Sequence, residues 1–172
     1  HFLANGAGVA VMYSHHVLME RNTFAESWGS GAYGVLLKDI SDSRLAGNRF
    51  DRNSTGLFGE GTNRVEVTGN EFTRNGWGVR IMADAHETAF TGNRFSGNSF
   101  DVSSNSANAA SRFRGNYWDR YAGYDLDRDG YGDVPFAPVR LFALVVQQNE
   151  PALILLRSFF VSLLDAAERV AP

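Results

Sequence analysis

Apolar residues in the first two thirds of the chain recur in short columns rather than in helical stripes. The segments ERNTF, AGNRF, TGNEF, TGNRF and RGNYW align on Asn22, Asn48, Asn70, Asn93 and Asn116, at spacings of 26, 22, 23 and 23 residues. Two residues after each Asn stands an aromatic (Phe24, Phe50, Phe72, Phe95, Trp118), and three before it an apolar residue (Met19, Leu45, Val67, Phe90, Phe113). A third column, mostly just after a Gly, is Val9, Val35, Leu57, Val79 and Val102. Three apolar columns per repeat, in short segments split by Gly and Asn and without i, i+3, i+4 spacing, predict three short strands per coil. Stacked at roughly 4.8 Å, such coils set identical positions over one another, which defines an all-β parallel solenoid. Asn and Gly are expected at its corners because both tolerate left-handed backbone angles, and a column of Asn can bond coil to coil. The longer first interval places extra residues in the stretch from Ser27 to Ala32.

The coils are expected over residues 1–118, followed by an Asp-rich loop at 119–139 and a helical segment at 140–172. His1-Phe2, Asn5 and Gly8-Val9 superpose on Glu71-Phe72, Asn75 and Gly78-Val79, so the chain opens inside a repeat. An uncapped solenoid end exposes apolar columns and strand edges, so either further coils precede this one or another contact covers it; end-to-end self-association is one such contact.

In the loop, Asp125, Asp127, Asp129 and Asp133 with Gly130 reproduce the D-x-D-x-D-G-x-x-D part of a calcium loop, and the carbonyl of Tyr131 would add a donor. Phe136 stands where an EF-hand has its bidentate Glu, so the loop is not a complete EF-hand. Calcium would pin it across the solenoid end; the alternative is a solvated Asp/Gly turn. Beyond it, residues 140–149 and 151–170 read as two helices broken at Asn149-Glu150-Pro151. The second has one polar stripe, Ser158, Ser162, Asp165 and Arg169, and is otherwise apolar. It is long enough to span a bilayer, but Arg157, Asp165, Glu168 and Arg169 argue against that. The hairpin therefore caps the last coil, and its wide apolar face, with Leu153, Leu156, Phe159, Phe160, Leu163 and Leu164, also suits a partner surface.

Composition narrows the chemistry. With 19 Asp+Glu against 16 Lys+Arg, a net charge of −3, no basic face for nucleic acid is expected. The chain has no Cys, so any metal must be held by His, Met or oxygen. No signal sequence is visible in residues 1–30.

In the strand after each Gly the first and third residues point in, so the outward columns are Ala10, Leu36, Phe58, Arg80, Ser103 and Met12, Lys38, Glu60, Met82, Asn105. A polysaccharide-cleaving β-helix needs paired carboxylates about 5–9 Å apart. Glu60 is the lone acid there, which argues against an enzyme of that kind. Four residues on, the equivalent pairs Lys38/Asp42 and Glu60/Arg64 alternate in charge, so Lys38 with Glu60 and Asp42 with Arg64 can form ion-pair ladders between coils. The outer pairs, Met12/His16 and Met82/His86, have equal spacing, and thioether plus imidazole suits copper, Cu(I) above all. They lie three coils, roughly 14 Å, apart, too far to share one ion, and His15 adds to the first pair. The bland alternative is ordinary surface residues; Met19 belongs to a core column. Leu36 and Phe58, with Trp28, Tyr33, Trp77 and Phe100 beside turns, could stack on sugar rings or lie under the C-terminal segment.

The run GNYWDRYAGYDLDRDGYGDVPFAPVRLFALVVQQNEPALILLRSFFVSLLDAAERV, continuing from N-x-F coils, resembles the C-terminal end of the NosD family, with Pro135 to Val170 the most specific part. That resemblance implies a right-handed parallel β-helix, exported to the periplasm. It implies a non-enzymatic accessory protein that works with an ABC transporter, its permease and ATPase subunits, to deliver copper to the copper–sulfur centre of nitrous oxide reductase. The C-terminal helices would then meet the permease. A carbohydrate-binding or carbohydrate-active β-helix of the cell envelope is the alternative.

Overall fold

The computed structural model describes residues 1–82, 84–105, 111–156 and 158–170. Arg157 lies outside them, and the side chains of Asp165, Glu168 and Arg169, which share the polar stripe or charge count read from the sequence, are likewise not described.

The coils stack as the columns predict. One face is a six-stranded sheet of Phe2–Leu3, Thr23–Ala25, Arg49–Asp51, Glu71–Thr73, Arg94–Ser96 and Tyr117–Trp118, in that order. The remaining strands form a second sheet built around Tyr33–Ala46. Thr55–Glu60 pairs with the first half of that strand and is followed by Trp77–Ile81 and Phe100–Ser103. Asn63–Thr68 pairs with its second half and is followed by Ala89–Thr91 and Arg112–Arg114. Ala7–His15 and Leu18–Glu20 lie along its other edge. All pairs named are parallel. Tyr33–Ala46 is long because it turns two corners, at Asp39 (φ 51°) and Asp42 (φ 49°), without leaving the ladder. The added residues of the first interval fall in the bend and turn before Tyr33.

The columns become ring stacks. Phe2, Phe24, Phe50, Phe72, Phe95 and Trp118 are in register, with successive centroids 5.0, 5.1, 4.7, 4.9 and 4.4 Å apart. Those separations match the strand spacing, so burial and offset stacking act along the same axis as the sheet hydrogen bonds. Val35, Leu57, Val79 and Val102, and Leu45, Val67 and Phe90, complete a core that is essentially closed to solvent.

Asn holds the coils together, though not from left-handed corners. The left-handed residue of that corner is the one before it, Gly47 (φ 61°), Gly69 (62°), Gly92 (62°) and Gly115 (59°), and the Asn side chain turns into the stack. Asn48 donates through its backbone N–H and Nδ2 to Asn70 Oδ1, at 2.8 and 2.9 Å; Asn70 does the same to Asn93 Oδ1, and Asn93 to Asn116 Oδ1. Each Nδ2 also donates to a carbonyl one coil back, Leu45 O for Asn70 at 2.9 Å. A second ladder, absent from the sequence reading, runs Asn53, Asn75, Asn98, and Ser27 donates its N–H to Asn53 Oδ1. The other corners are left-handed too, and besides Gly61 and Gly97 many of them carry charged or aromatic residues: Arg52 and Arg74; Tyr13 and Asp39; His16, Asp42, Arg64 and Glu87. Corner strain costs of order 1–3 kcal/mol for a non-Gly residue, which stacking on both sides can sustain.

Asp101 ends the second ladder. It stands in the column of Gly34, Gly56 and Gly78, where a Cβ would meet the next coil's carbonyl oxygen at 2.6–2.7 Å, so glycine is required wherever another coil follows. At Asp101 no further strand ladder follows among the described residues, where the next strand contact is the Val102–Val139 bridge, and the carboxylate fits. Its Oδ1 accepts from Asn98 Nδ2 at 3.0 Å, replacing the next Asn. Burial pushes this carboxyl above the ordinary 3.8, against the opposing Asn98 hydrogen bond and the charges of Arg120 and Arg140.

The far end is closed by the segment after Trp118. Phe136 sits 5.0 Å from the Trp118 ring, Tyr121 packs beside it, and Val139 bridges in parallel to Val102. Helix α1 (Leu141–Gln148) lies instead on the flank, packing Phe142, Ala143 and Val146 with Phe100, beside Trp77. The second helix expected at 151–170 is split. Glu150–Leu155 is a 3-10 turn with Pro151 in its first turn, and α2 runs only over Phe159–Val170. The break lets Ala152, Leu156, Val161 and Leu164 fold back onto α1, where one straight helix would carry the last of them away.

Two sets of stability measurements follow. Asn70→Ala takes the acceptor from the Asn48 backbone N–H, leaves Asn48 Nδ2 with Met19 O alone and removes the side-chain donor to Asn93 Oδ1, and should cost about 1–3 kcal/mol. Phe72→Ala should cost about 3–5 kcal/mol, and at this size each kcal/mol lowers Tm by roughly 2–4 °C. Because the folded Asp101 carboxyl titrates high, its stabilising share is full below the ordinary carboxylate range and is lost as pH rises through the raised value. Asp101→Asn keeps the acceptor for Asn98, so melts should show a higher Tm than wild type at pH 7 and no gain near pH 3.

Candidate functional site

Three groups outside the core carry chemistry. The first is the corner column that follows the outward strand face. His16, Asp42, Arg64 and Glu87 stand over one another, each with φ between 49° and 55°. Arg64 grips Asp42 through Nε and Nη2 at 2.6 and 2.8 Å, and Lys38 Nζ lies 3.2 Å from Glu60. The Arg64 hydrogen bonds hold the Asp42 carboxyl below its ordinary range, and Glu60 raises the Lys38 ammonium. Both expected ladders are therefore formed.

Met12, Lys38 and Glu60 are in direct register, and Met82 follows, its N–H donating to Gly59 O. His86 departs from the expected equivalence. It bridges Asn63, in the column of His15 and Ser41, while Glu87 takes the place above Arg64. The interval from Asn63 to His86 is 23 residues against 22 from Glu60 to Met82, and this one-residue difference shifts the histidine. Met82/His86 is thus not a copy of Met12/His16, and three coil steps separate them. His15 and His16 do come together: their Nδ1 atoms are 2.6 Å apart and their rings meet edge to face at 4.8 Å. Both are exposed, as is Met12, one corner earlier. The sequence grouped His15 with Met12 and His16 but did not set the two rings against each other, because strand alternation sends neighbours to opposite faces. Gly61, aligned with Asp39 and Tyr13, was the available signal that this region turns through left-handed corners.

The second group is the acidic loop. Carboxylate oxygens of Asp125, Asp127 and Asp129 lie within 4.8 Å of one another, all exposed. They also bond their own loop: Asp125 accepts from the N–H of Asp129 and Gly130, and Asp129 from that of Tyr131. Asp133 stands apart from the trio, its Oδ2 accepting from Leu126 N–H at 2.7 Å.

The third is the outer surface of the C-terminal segment. Leu156 and Leu164 of the expected partner face pack inward on α1, whereas Leu153, Phe159, Phe160 and Leu163 remain exposed, with Ile154 beside them. Ile154 and Phe159 are 88% and 81% exposed. No described helix is long and apolar enough to cross a membrane. Of the outward aromatics, Phe100 is buried under α1, Tyr33, Phe58 and Trp77 are half-buried, and Trp28 is exposed.

Stacked parallel coils bonded by Asn ladders, with a short helical appendage packed on their flank, define a parallel β-solenoid repeat protein. Residues 1–123 match the family model described as periplasmic copper-binding protein (NosD), and the chain belongs to the NosD family. A probable ABC transporter binding protein NosD of Pseudomonas aeruginosa is 31% identical over 159 residues, covering 81% of this chain and 37% of that protein. Its namesake from Stutzerimonas stutzeri is 27% identical over 124 residues, covering 62% of this chain and 28% of that protein. The chain thus spans about a third of the length of these relatives.

Proposed function

We propose that this chain is part of a non-enzymatic accessory protein that passes copper toward the copper–sulfur centre of nitrous oxide reductase, working in the periplasm with an ABC transporter. Membership of a family described as periplasmic and copper-binding supports the copper cargo, and the name of the two relatives supports the transporter. The observation that carries the reading on this chain is the exposed apolar surface of Leu153, Ile154, Phe159, Phe160 and Leu163 beside a packed seam of the same segment. An apolar patch of that kind marks a contact surface, and the transporter's permease is the partner it serves. The copper donors available are Met12, His15, His16, Met82 and His86, since a chain without Cys offers no thiolate.

The test is co-purification from detergent with the cognate ABC permease. Ile154→Asp with Phe159→Asp leaves the packed seam untouched and should reduce retention at least tenfold, while Trp28→Ala, at an exposed turn of the coils, should not. Equal retention of both variants would remove the C-terminal segment from the interface, and preferential binding to polysaccharide through Trp28 would favour the carbohydrate reading.

The Asp125–Asp127–Asp129 loop is proposed as a structural calcium site, the Tyr131 carbonyl adding a donor and Asp133 bracing the turn. Calcium in the millimolar range should raise Tm in wild type and leave Asp127→Asn with Asp129→Asn unchanged. An equal response in the two proteins would mark the loop as a solvated turn.

A further inference from the structure

We infer that His15 and His16 together form the copper-binding site of this part of the chain, two imidazoles presented by one left-handed corner. The inference rests on the copper reading above and narrows five donors to one pair. In a regular strand, neighbouring side chains point to opposite faces and cannot converge. His15 ends the strand Ala7–His15, and His16 follows with φ 55°, so the chain turns and leaves both rings on the outside. Their Nδ1 atoms stand 2.6 Å apart with the rings edge to face. Two lone pairs cannot occupy that gap; it takes a proton or a cation.

A metal held at about 2.0–2.1 Å from each nitrogen sets the two roughly 2.9 Å apart at a right angle and roughly 3.4 Å apart at a tetrahedral one, so the pair has to open by about 0.3–0.8 Å. Both side chains are exposed, so no packing resists the movement. The neighbouring charge is already engaged: Asp42 accepts two hydrogen bonds from Arg64 and is not left as a competing ligand. The equivalent corners carry Ser41/Asp42, Asn63/Arg64 and His86/Glu87, so the paired imidazole occurs once in the stack. That is why Met82/His86 does not reproduce it. Two nitrogen donors leave coordination positions open, as a site that hands its ion onward requires, and imidazole suits copper in either oxidation state.

The experiment titrates the purified chain with Cu(I) against a chromophoric chelator, and with Cu(II) followed by electron paramagnetic resonance. Wild type should take up one copper with hyperfine structure from two imidazole nitrogens. Loss of a residue that merely supports a metal ligand costs about 10–100-fold in affinity, so His15→Ala and His16→Ala should each weaken binding at least tenfold, and the double variant should abolish the two-nitrogen signal. His86→Ala should match wild type. Circular dichroism melts check the fold, and shifts of the His15 and His16 ring ¹⁵N resonances on adding Cu(I) to wild type test the site without any substitution. One tight copper that survives in the double variant, or that leaves those resonances unmoved, overturns the assignment while sparing the copper reading. No copper bound by wild type overturns both.

Discussion

Coil-to-coil registry, held by buried Asn side chains, is the interaction on which the rest of this molecule depends. Each Asn closes a hydrogen-bond circuit with the coil before and the coil after, at distances of 2.8–3.0 Å for Asn70 and Asn93. Because the amide offers one acceptor and two donors, a column of identical residues satisfies itself only if successive coils lie in register. The same registry then brings the rings of Phe24, Phe50, Phe72 and Phe95 to their stacking distance. Polar and apolar columns therefore select one arrangement between them, and a slip of one residue would break both at once.

That registry has two further consequences at the surface. Corner residues fall over corner residues, so charged side chains become ladders such as Asp42–Arg64 without any dedicated packing. It also fixes where a column must end. Glycine is demanded wherever a following coil presses on the backbone, and Asp101 enters the column where that pressure stops. A buried carboxylate is costly to ionise, yet here it supplies the acceptor that Asn98 would otherwise lack.

The sites proposed for this chain sit where the repeat is imperfect. The His15–His16 corner, the Asp loop after Trp118 and the exposed side of the C-terminal segment are each departures from a self-similar column. A repeat supplies a rigid scaffold with few clefts, and its irregular positions are free to carry donors or contact surfaces. Copper handling suits such a scaffold, since a cargo ion needs exposed donors with open positions rather than an enclosed cavity.

The columns of Asn22, Asn48, Asn70, Asn93 and Asn116 and their flanking apolar residues were enough to determine parallel coils, inward and outward faces and the ion-pair ladders, because in a solenoid sequence period and spatial period coincide, while the family resemblance rested on the run from Gly115 to Val170. Left-handed corners at Arg, Asp and His residues were not legible, since no local rule asks these side chains to adopt positive φ; only neighbours on both sides impose it. For that reason the convergence of His15 with His16, and the one-residue shift that separates His86 from its expected column, belong to the tertiary structure. So does the break in the second helix: apolar spacing over 151–170 is compatible with one long helix, and only packing of Val161 and Leu164 against α1 selects two short segments.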